Sequence, residues 1–268
     1  MQLSTLFRPQ SIAIIGASTQ EGSVGWSLAK NIIEHFSGPS YPINPKATEL
    51  FGKPCFPSVL SIEGTIDLAV IAVPAAVVPA VLKQCAEKHI PAAVIISAGF
   101  KETGTEGKQL EEEIIRIAEE ASITLLGPNC LGFLAPHEGL NASFAKALPE
   151  KGSIAFFSQS GALLTALLDM SGHQLGYRAC ISTGNKALLR ENELLRFFAA
   201  DEAAKVISFY SEDLIDAKSL IDTGRAILRR ALPKPIIALK SGKTSAGSSA
   251  SSSHTGALAG SDAAYEAL

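Results

Sequence analysis

One stretch near the start of the chain decides its fold: Ile12-Ala13-Ile14-Ile15-Gly16-Ala17-Ser18, followed by Gly22-Ser23-Val24-Gly25. The apolar run over 11–15 predicts a strand that is buried on both faces. The glycines after it let the backbone approach a phosphate closely, and a helical pattern over 24–36 adds amide donors at a helix N-terminus. This unit predicts a site for a nucleotide-like ligand. Because the spacing is looser than Gly-x-Gly-x-x-Gly, the alternative is that the glycines only make the turn.

Strands and helices alternate along the rest of the chain. This alternation predicts an α/β protein of two doubly wound domains, with ligands at the carboxyl ends of parallel strands. We place the domains at 1–145 and 146–268, with a polar linker over 141–151. The predicted strands are 11–15, 41–44, 67–73, 92–97, 123–126, 153–157, 178–182, 205–210 and 235–240, and the predicted helices are 24–36, 75–89, 105–121, 162–175, 191–200 and 215–232.

The composition limits the class of protein. With 47% hydrophobic and 18% charged residues, the chain can form a sizeable core, which excludes global disorder. A net charge of −3 gives no electrostatic footprint for nucleic acid or an anionic membrane. No signal peptide or membrane span is predicted, so we expect a soluble protein. The cysteines form no C-x-x-C pair, which favours reduced thiols in the cytoplasm over disulfides or zinc. They are Cys55, Cys85, Cys130 and Cys180.

The ends of the other predicted strands in the first half carry further candidates. An NAD-binding domain would usually have Asp or Glu after its second strand, whereas this chain has Tyr41-Pro42-Ile43-Asn44-Pro45-Lys46. Lys46 suits an additional phosphate better than a ribose diol, although a solvated surface lysine is the alternative. The motifs Val73-Pro74-Ala75, Ser97-Ala98-Gly99-Phe100 and Gly127-Pro128-Asn129-Cys130 fall on the same ligand edge, and each could be an ordinary turn.

The second half repeats this arrangement. Phe157-Ser158-Gln159-Ser160-Gly161-Ala162 ends a strand and opens an apolar helix, where Ser160 suits an N-cap and the following amides suit an anion. A simple capped helix is the alternative. Thr183-Gly184-Asn185-Lys186-Ala187 follows the next strand in the same way, and Glu212 follows the one after it. From its position alone, Glu212 could equally be a solvated cap.

His254 lies in Ser253-His254-Thr255-Gly256-Ala257-Leu258-Ala259-Gly260-Ser261, within a tract of small and polar residues. An imidazole on a mobile arm can carry a group between two places, because its neutral form is nucleophilic near physiological pH. An ordinary surface loop is the alternative. The remaining histidines are interpreted as structural: His35, His89, His137 and His173.

Together these motifs resemble the NDP-forming acyl-CoA synthetases, the family of ADP-forming acetyl-CoA synthetase and of succinyl-CoA synthetase α subunits. The resemblance covers nearly the whole chain. It implies an N-terminal Rossmann-like CoA-binding domain followed by a flavodoxin-like domain with a phosphohistidine loop. It also implies an acid–thiol ligase that reversibly converts acyl-CoA, phosphate and ADP into acid, CoA and ATP through an acyl phosphate.

The resemblance further implies roles for single residues. His254 would carry the phosphoryl group, Glu212 would hydrogen-bond its imidazole, and Lys46 would lie near the nucleotide phosphates of CoA. The implied CoA-binding residues are Gly16, Ser18, Gly22, Val24, Gly25, Lys46, Val73, Pro74, Ser97 and Asn129, and the implied phosphate-binding residues are Ser158, Ser160, Gly161, Ala162, Gly184 and Asn185. No metal ligand is among them.

The family also needs an ATP-grasp domain, and no such segment is present. We therefore expect a fragment that ends inside the second domain and assembles into an oligomer with an ATP-grasp domain or subunit in cis or trans, which would bind ATP or ADP and Mg²⁺. The chain departs from the family at Leu188-Leu189-Arg190-Glu191-Asn192, where acidic residues commonly precede the helix. One alternative is the acyl-CoA-sensing region of a protein lysine acetyltransferase, against which the retained His254 counts. Another is an NAD(P)-binding module, which fits only the first half.

Overall fold

A sheet of five parallel strands carries the first half of the protein. The computed structural model describes residues 3–241. The strand order is β2-β1-β5-β6-β7. Strand β2 lies on one side of β1 and the later strands lie on the other, so the direction in which strands are added reverses at β1. Doubly wound sheets bind ligands at such a switch point. The strands are β1 (Ile12–Ile15), β2 (Ser40–Ile43), β5 (Leu68–Ile71), β6 (Ala92–Ile95) and β7 (Thr124–Leu126), with a small hairpin of β3 (Glu49–Leu50) and β4 (Lys53–Pro54) after β2.

The helices between these strands cover both faces of the sheet. This explains the uninterrupted apolar runs, since β1, β5 and β6 are buried at every position. The helix after the glycine turn begins where Ser23 caps it, because the Ser23 hydroxyl accepts a hydrogen bond from the amide of Trp26. The predicted helix over 75–89 starts as a 3₁₀ turn, Ala75–Val77. The helices are α1 (Leu3–Phe7), α2 (Val24–His35), α3 (Val78–Glu87) and α4 (Thr105–Glu120).

The second half forms a six-stranded sheet in the order β13-β12-β10-β11-β8-β9. Strands β10 to β13 are parallel, as the alternating pattern predicts. Ser158 pairs with Ser182 on one side and with Tyr210 on the other, so three of these strands end at one level. The elements are β8 (Gly132–Ala135), β9 (Leu140–Ser143), β10 (Lys151–Ser158), α5 (Gly161–Ser171), β11 (Tyr177–Ser182), α6 (Glu191–Ala200), β12 (Val206–Ser211), α7 (Ala217–Leu228) and β13 (Ile236–Lys240).

The antiparallel hairpin of β8 and β9 was not predicted. β8 follows the last strand of the first sheet in sequence but pairs with β11 of the second, where Leu134 lies opposite Cys180. Residues 141–143 therefore form a strand, and the prediction that 141–151 is a linker is wrong for those residues. The hairpin belongs to the second sheet although it precedes the expected domain boundary at 145. The boundary itself stays a prediction.

One hydrophobic cluster contains buried residues of both halves. Buried residues of β1, such as Ile14, belong to the same cluster as Phe157 and Phe209 of the second sheet. Phe7 of α1 lies at the junction, with its ring centroid 5.2 Å from that of Phe133. The buried Asn31 of α2 donates hydrogen bonds to two carbonyl groups at the end of the hairpin. The carboxyl ends of both sheets are thereby held next to each other.

Candidate functional site

A cavity of about 620 Å³ lies between the carboxyl ends of the strands of the two sheets. Ligand sites of doubly wound folds occupy this position. Residues predicted to bind CoA and residues predicted to bind phosphate both line this cavity, so the fold brings the two groups of residues together. The predicted residues that line it are Val24, Val73, Ser97, Asn129, Ser160, Gly161, Ala162, Gly184, Asn185 and Glu212.

The glycine turn after β1 packs tightly against neighbouring backbone. Gly16 has a φ of +89°, and a Cβ on it would lie 2.4 Å from the carbonyl oxygen of Ala72. A Cβ on Gly25 would lie 2.0 Å from the carbonyl oxygen of Gly16. Gly22 also has a positive φ, +79°, but open space surrounds it. A side chain therefore has no room at position 16 or 25. At position 22 a side chain would fit, and glycine is favoured there only because of the positive φ. Ser18 stabilises the turn, since its hydroxyl accepts a hydrogen bond from the amide of Gln20.

The residues after β2 and β5 contact the turn but lie at the edge of the cavity. The side-chain amide of Asn44 donates to the carbonyl of Ala17 at 2.8 Å, and its oxygen accepts from the amide of Lys46 at 2.9 Å. The Lys46 side chain is exposed and does not line the cavity. Pro74 is also exposed, next to the cavity-lining Val73. Contacts of Lys46 and Pro74 with a ligand stay predictions.

The N-terminus of α5 faces the cavity. Ser160 is its N-cap, and the Ser160 hydroxyl accepts from the amide of Leu163 at 3.2 Å. The amides of Gly161 and Ala162 come too early in the helix to have an intrahelical acceptor, and both residues line the cavity. Ser158 has a different position: it is fully buried, and its hydroxyl donates to the carbonyl of Ser160 at 2.7 Å. Ser158 therefore supports the turn from behind, and the residues whose amides follow Ser160 line the cavity. Phosphate binding by any of these residues stays a prediction.

The turn after β11 is bound to the first half of the protein. The backbone amide of Asn185 donates to the carbonyl of Pro128, and a Cβ on Gly184 would lie 2.3 Å from the same oxygen. The side-chain nitrogen of Asn185 donates to Glu102 at 2.7 Å and to Glu111 at 2.8 Å. Both amide groups of Asn185 are thus engaged within the protein. Asn185 lies at the cavity and its hydrogen bonds join the two halves, whereas its contact with phosphate stays a prediction.

Glu212 lines the cavity directly after β12 and is only 6% exposed. Gln159, from the turn after β10, accepts hydrogen bonds from the backbone amides of Glu212 at 2.8 Å and of Asp213 at 3.3 Å. The hydroxyl of Tyr210 lies 3.4 Å from Oε1 of Glu212. These contacts hold the buried Glu212 at the cavity wall, so Glu212 is not a solvated cap.

Lys186 supports the site and was not among the predicted site residues, although it lies inside the motif over 183–187. Its side chain is fully buried, and its ammonium lies 2.7 Å from both Oε1 of Glu191 and Oδ1 of Asp213. It also donates to the backbone carbonyl of Asp213 at 2.8 Å. Burial raises the pKa of Asp213, but Lys186, through its charge and its hydrogen bond, together with smaller contributions from Gln159 and Lys101, lowers it more, so the net pKa lies below the usual value. Lys186 therefore holds the Glu212–Asp213 segment in place.

The cavity also contains Lys101 and Cys130, neither of which was predicted as a site residue. Lys101 directly follows the motif Ser97-Ala98-Gly99-Phe100 at the end of a predicted strand, and this position could have identified it. Burial raises the pKa of the Cys130 thiol to about 12. A thiol with this pKa is protonated at neutral pH, so Cys130 is an unsuitable nucleophile.

His254, the predicted carrier, lies outside the described residues. The other four histidines do not line the cavity. Three of them have local partners that fit a structural role: His35 contacts a carbonyl of its own helix, His137 contacts the carbonyl of Gly152, and His173 contacts Glu150. Within residues 3–241, no group of three His, Cys, Asp or Glu side chains could hold a metal ion. No helix in this range is long and apolar enough to cross a membrane.

Comparisons with known proteins match both halves. The family model of a CoA binding domain matches residues 10–136, and that of a succinyl-CoA ligase like flavodoxin domain matches residues 151–268. The ADP-forming acetate–CoA ligase I of Archaeoglobus fulgidus is 46% identical over 266 residues, covering 99% of this chain and 38% of the relative. The ADP-forming acetate–CoA ligase of Methanocaldococcus jannaschii is 48% identical over 267 residues, covering 99% of this chain and 37% of the relative.

A solved structure matches over the same extent. It is the dinucleotide forming acetyl-coenzyme A synthetase 1 of Ca. Korarchaeum cryptofilum in complex with phosphate and ADP, which is similar with a TM-score of 0.92 and 40% sequence identity. The match covers 98% of this chain and 57% of that one. The chain thus spans between 37% and 57% of the length of these three proteins.

Proposed function

Because the chain belongs to the NDP-forming acyl-CoA synthetase family, we propose that it is the CoA-binding and phosphoryl-carrying part of an ADP-forming acyl-CoA synthetase. The complete enzyme would reversibly convert acyl-CoA, phosphate and ADP into acid, CoA and ATP. The observation that carries the proposal is one cavity that is lined by Val24 at the start of α2 and by Asn129 on the side of the first sheet, and by the α5 N-terminus and Glu212 on the side of the second.

The first half suits CoA as a substrate. Gly16 and Gly25 allow the turn to pack closely against neighbouring backbone at the N-terminus of α2, where a phosphate of CoA would bind. Lys46, exposed beside the turn, would contact a phosphate of the nucleotide portion. The thiol end would reach the cavity past Val73 and Ser97 toward Asn129.

The second half suits the phosphoryl group. In the direction of ATP synthesis, phosphate attacks the thioester carbonyl, which forms an acyl phosphate and releases CoA. A nitrogen of His254 would then attack phosphorus and release the carboxylate. The amides of Gly161 and Ala162 would stabilise the phosphoryl oxygens, and Glu212 would hold the imidazole in the reactive tautomer.

The phosphoryl group would leave for ADP on another part of the enzyme. We propose that an ATP-grasp domain or subunit, in cis or in trans, binds the nucleotide with Mg²⁺ and forms an oligomer with this chain. The shares of 38% and 37% of the two relatives leave room for such a part. The acyl group and the choice between ATP and GTP would depend on that complete assembly.

Phosphorylation of His254 tests the proposal directly. The chain is mixed with the ATP-grasp part of the enzyme and labelled ATP, and intact mass and acid lability of the label are measured. We expect one acid-labile phosphoryl group in the wild type and in His173→Ala, whose side chain is 92% exposed, and none in His254→Ala. Label that persists in His254→Ala would refute the role of this histidine.

The ligand of the first half is tested separately by titration with CoA and with NAD. We expect binding of CoA and a weaker affinity after Lys46→Ala, because one phosphate contact is lost. Lys53→Ala, in the neighbouring β3–β4 hairpin, is the matched surface control. A clear preference for NAD would overturn the assignment of CoA.

A further inference from the structure

Lys101 is the sole lysine or arginine among the described residues that line the cavity. It begins the 3₁₀ turn Lys101–Thr103, which follows the end of β6. Its side chain is 31% exposed, so the ammonium is shielded from bulk solvent but open to the cavity. A cation in this setting interacts more strongly with an anion than a surface lysine does, since solvent screens it less.

Two groups of the protein hold the Lys101 ammonium in position, which is fewer than its three N–H donors. Nζ of Lys101 donates to the carbonyl of Asn185 at 2.5 Å and lies 3.5 Å from Oε1 of Glu111. Glu111 also accepts a hydrogen bond from the side chain of Asn185 at 2.8 Å, so its charge is shared. An ammonium has three N–H donors. One donor therefore remains for a ligand beside the turn at 184–185.

The cavity also contains carboxylates. Glu212 and Asp213 both line it, and the buried ammonium of Lys186 lies 2.7 Å from Asp213. A phosphoryl dianion that enters this space meets their negative charge, so it needs a compensating cation inside the cavity.

We propose that Lys101 binds the phosphoryl group of phosphate or of an acyl phosphate inside the cavity. The proposal rests on the proposed function and adds a charged side chain to the backbone amides of Gly161 and Ala162. No bond is made or broken at Lys101, and its role is to bind and orient the phosphoryl group.

The test is calorimetric titration of the whole chain with inorganic phosphate, acetyl phosphate, acetate and CoA. We expect Lys101→Gln to weaken phosphate and acetyl phosphate at least about tenfold, the usual scale of a lost charged hydrogen bond, and to change CoA less than about twofold. Lys101→Arg should retain most of the affinity. The matched control is Lys108→Gln, which removes an exposed lysine of α4. An equal loss for acetate would assign Lys101 to the carboxylate and overturn the proposal.

A second measurement needs no variant. Phosphate should slow the acylation of Lys101 by an amine-directed reagent in the wild-type protein and leave Lys108 unaffected, as peptide mass spectrometry would show. Unchanged phosphate affinity in Lys101→Gln, or no protection of Lys101, overturns the role of Lys101 while CoA binding leaves the proposed function intact. A wild-type chain that binds neither CoA nor phosphate contradicts both.

Discussion

The side-chain nitrogen of Asn129 donates to the side-chain oxygen of Asn185 at 3.2 Å. This contact joins the carboxyl end of the first sheet to the turn after β11 of the second, directly on the cavity wall. Through its own nitrogen, Asn185 also binds Glu102 and Glu111. One carboxamide thus connects the predicted CoA side of the site to the predicted phosphate side.

We expect Asn185→Ala to lower the free energy of unfolding by about 1–3 kcal/mol at neutral pH, because two carboxylates lose a donor. Burial raises the pKa of Glu102, but the hydrogen bonds from Asn185 and from three backbone amides together lower it more, to below the usual 4.5. This contribution is present above about pH 4.5 and is lost as the pH falls through the folded pKa. The difference between variant and wild type should therefore shrink in acid.

Denaturant unfolding at neutral and at acid pH measures this difference. Gln109→Ala, which removes an exposed amide from α4, is the control and should change stability by less than about 0.5 kcal/mol. A difference between Asn185→Ala and wild type that is the same at both pH values would contradict the role of Asn185 as a carboxylate donor.

The two glycines with positive φ in the first turn should respond differently to alanine. Gly16→Ala places a Cβ 2.4 Å from backbone, whereas Gly22→Ala meets open space. Both variants adopt a strained conformation, which costs about 1–2 kcal/mol. Only Gly16→Ala must also displace the backbone of Ala72, directly after β5, so we expect it to lose at least about 2 kcal/mol more. Thermal unfolding measures both, and equal losses would show that the turn does not need close packing at Gly16.

Lys186→Met should destabilise the protein by about 3–5 kcal/mol, because it leaves the buried carboxylates of Glu191 and Asp213 without their cation. Lys83→Met is the matched control. Lys83 forms an ion pair of similar length, 2.9 Å to Glu113, but its side chain is 59% exposed. Its loss should cost less than about 1 kcal/mol. Similar costs in denaturant unfolding would mean that burial does not govern the Lys186 pair.

Much of the fold was predictable because it follows from local patterns. The runs over 11–15 and 92–97 are apolar at nearly every position, since helices cover both sheet faces, and the structure has parallel strands in both places. The glycines at 16 and 25 likewise predicted a turn between the first strand and the first helix, and the structure has β1 and α2 on either side of it. Strand ends then located the site, because the carboxyl ends of parallel strands meet at one edge.

The β8–β9 hairpin and the contacts between the halves were not predictable in the same way. Nothing in residues 132–143 indicates that they pair with β11 rather than with the preceding sheet, since an apolar run is compatible with either. The partners of Asn185 lie 56, 74 and 83 residues away in sequence. Contacts at such separations depend on how the two sheets pack.

The alternation of parallel strands with helices, the glycine turn and the family resemblance all follow from sequence alone, because each depends on residues that are adjacent in the chain. Tertiary structure alone decided that Lys101 faces the cavity, that Lys186 is buried between Glu191 and Asp213, and that Asn185 joins the two halves. The physical reason is that the effect of a charge depends on its burial and its partners, and both are set by packing between distant segments.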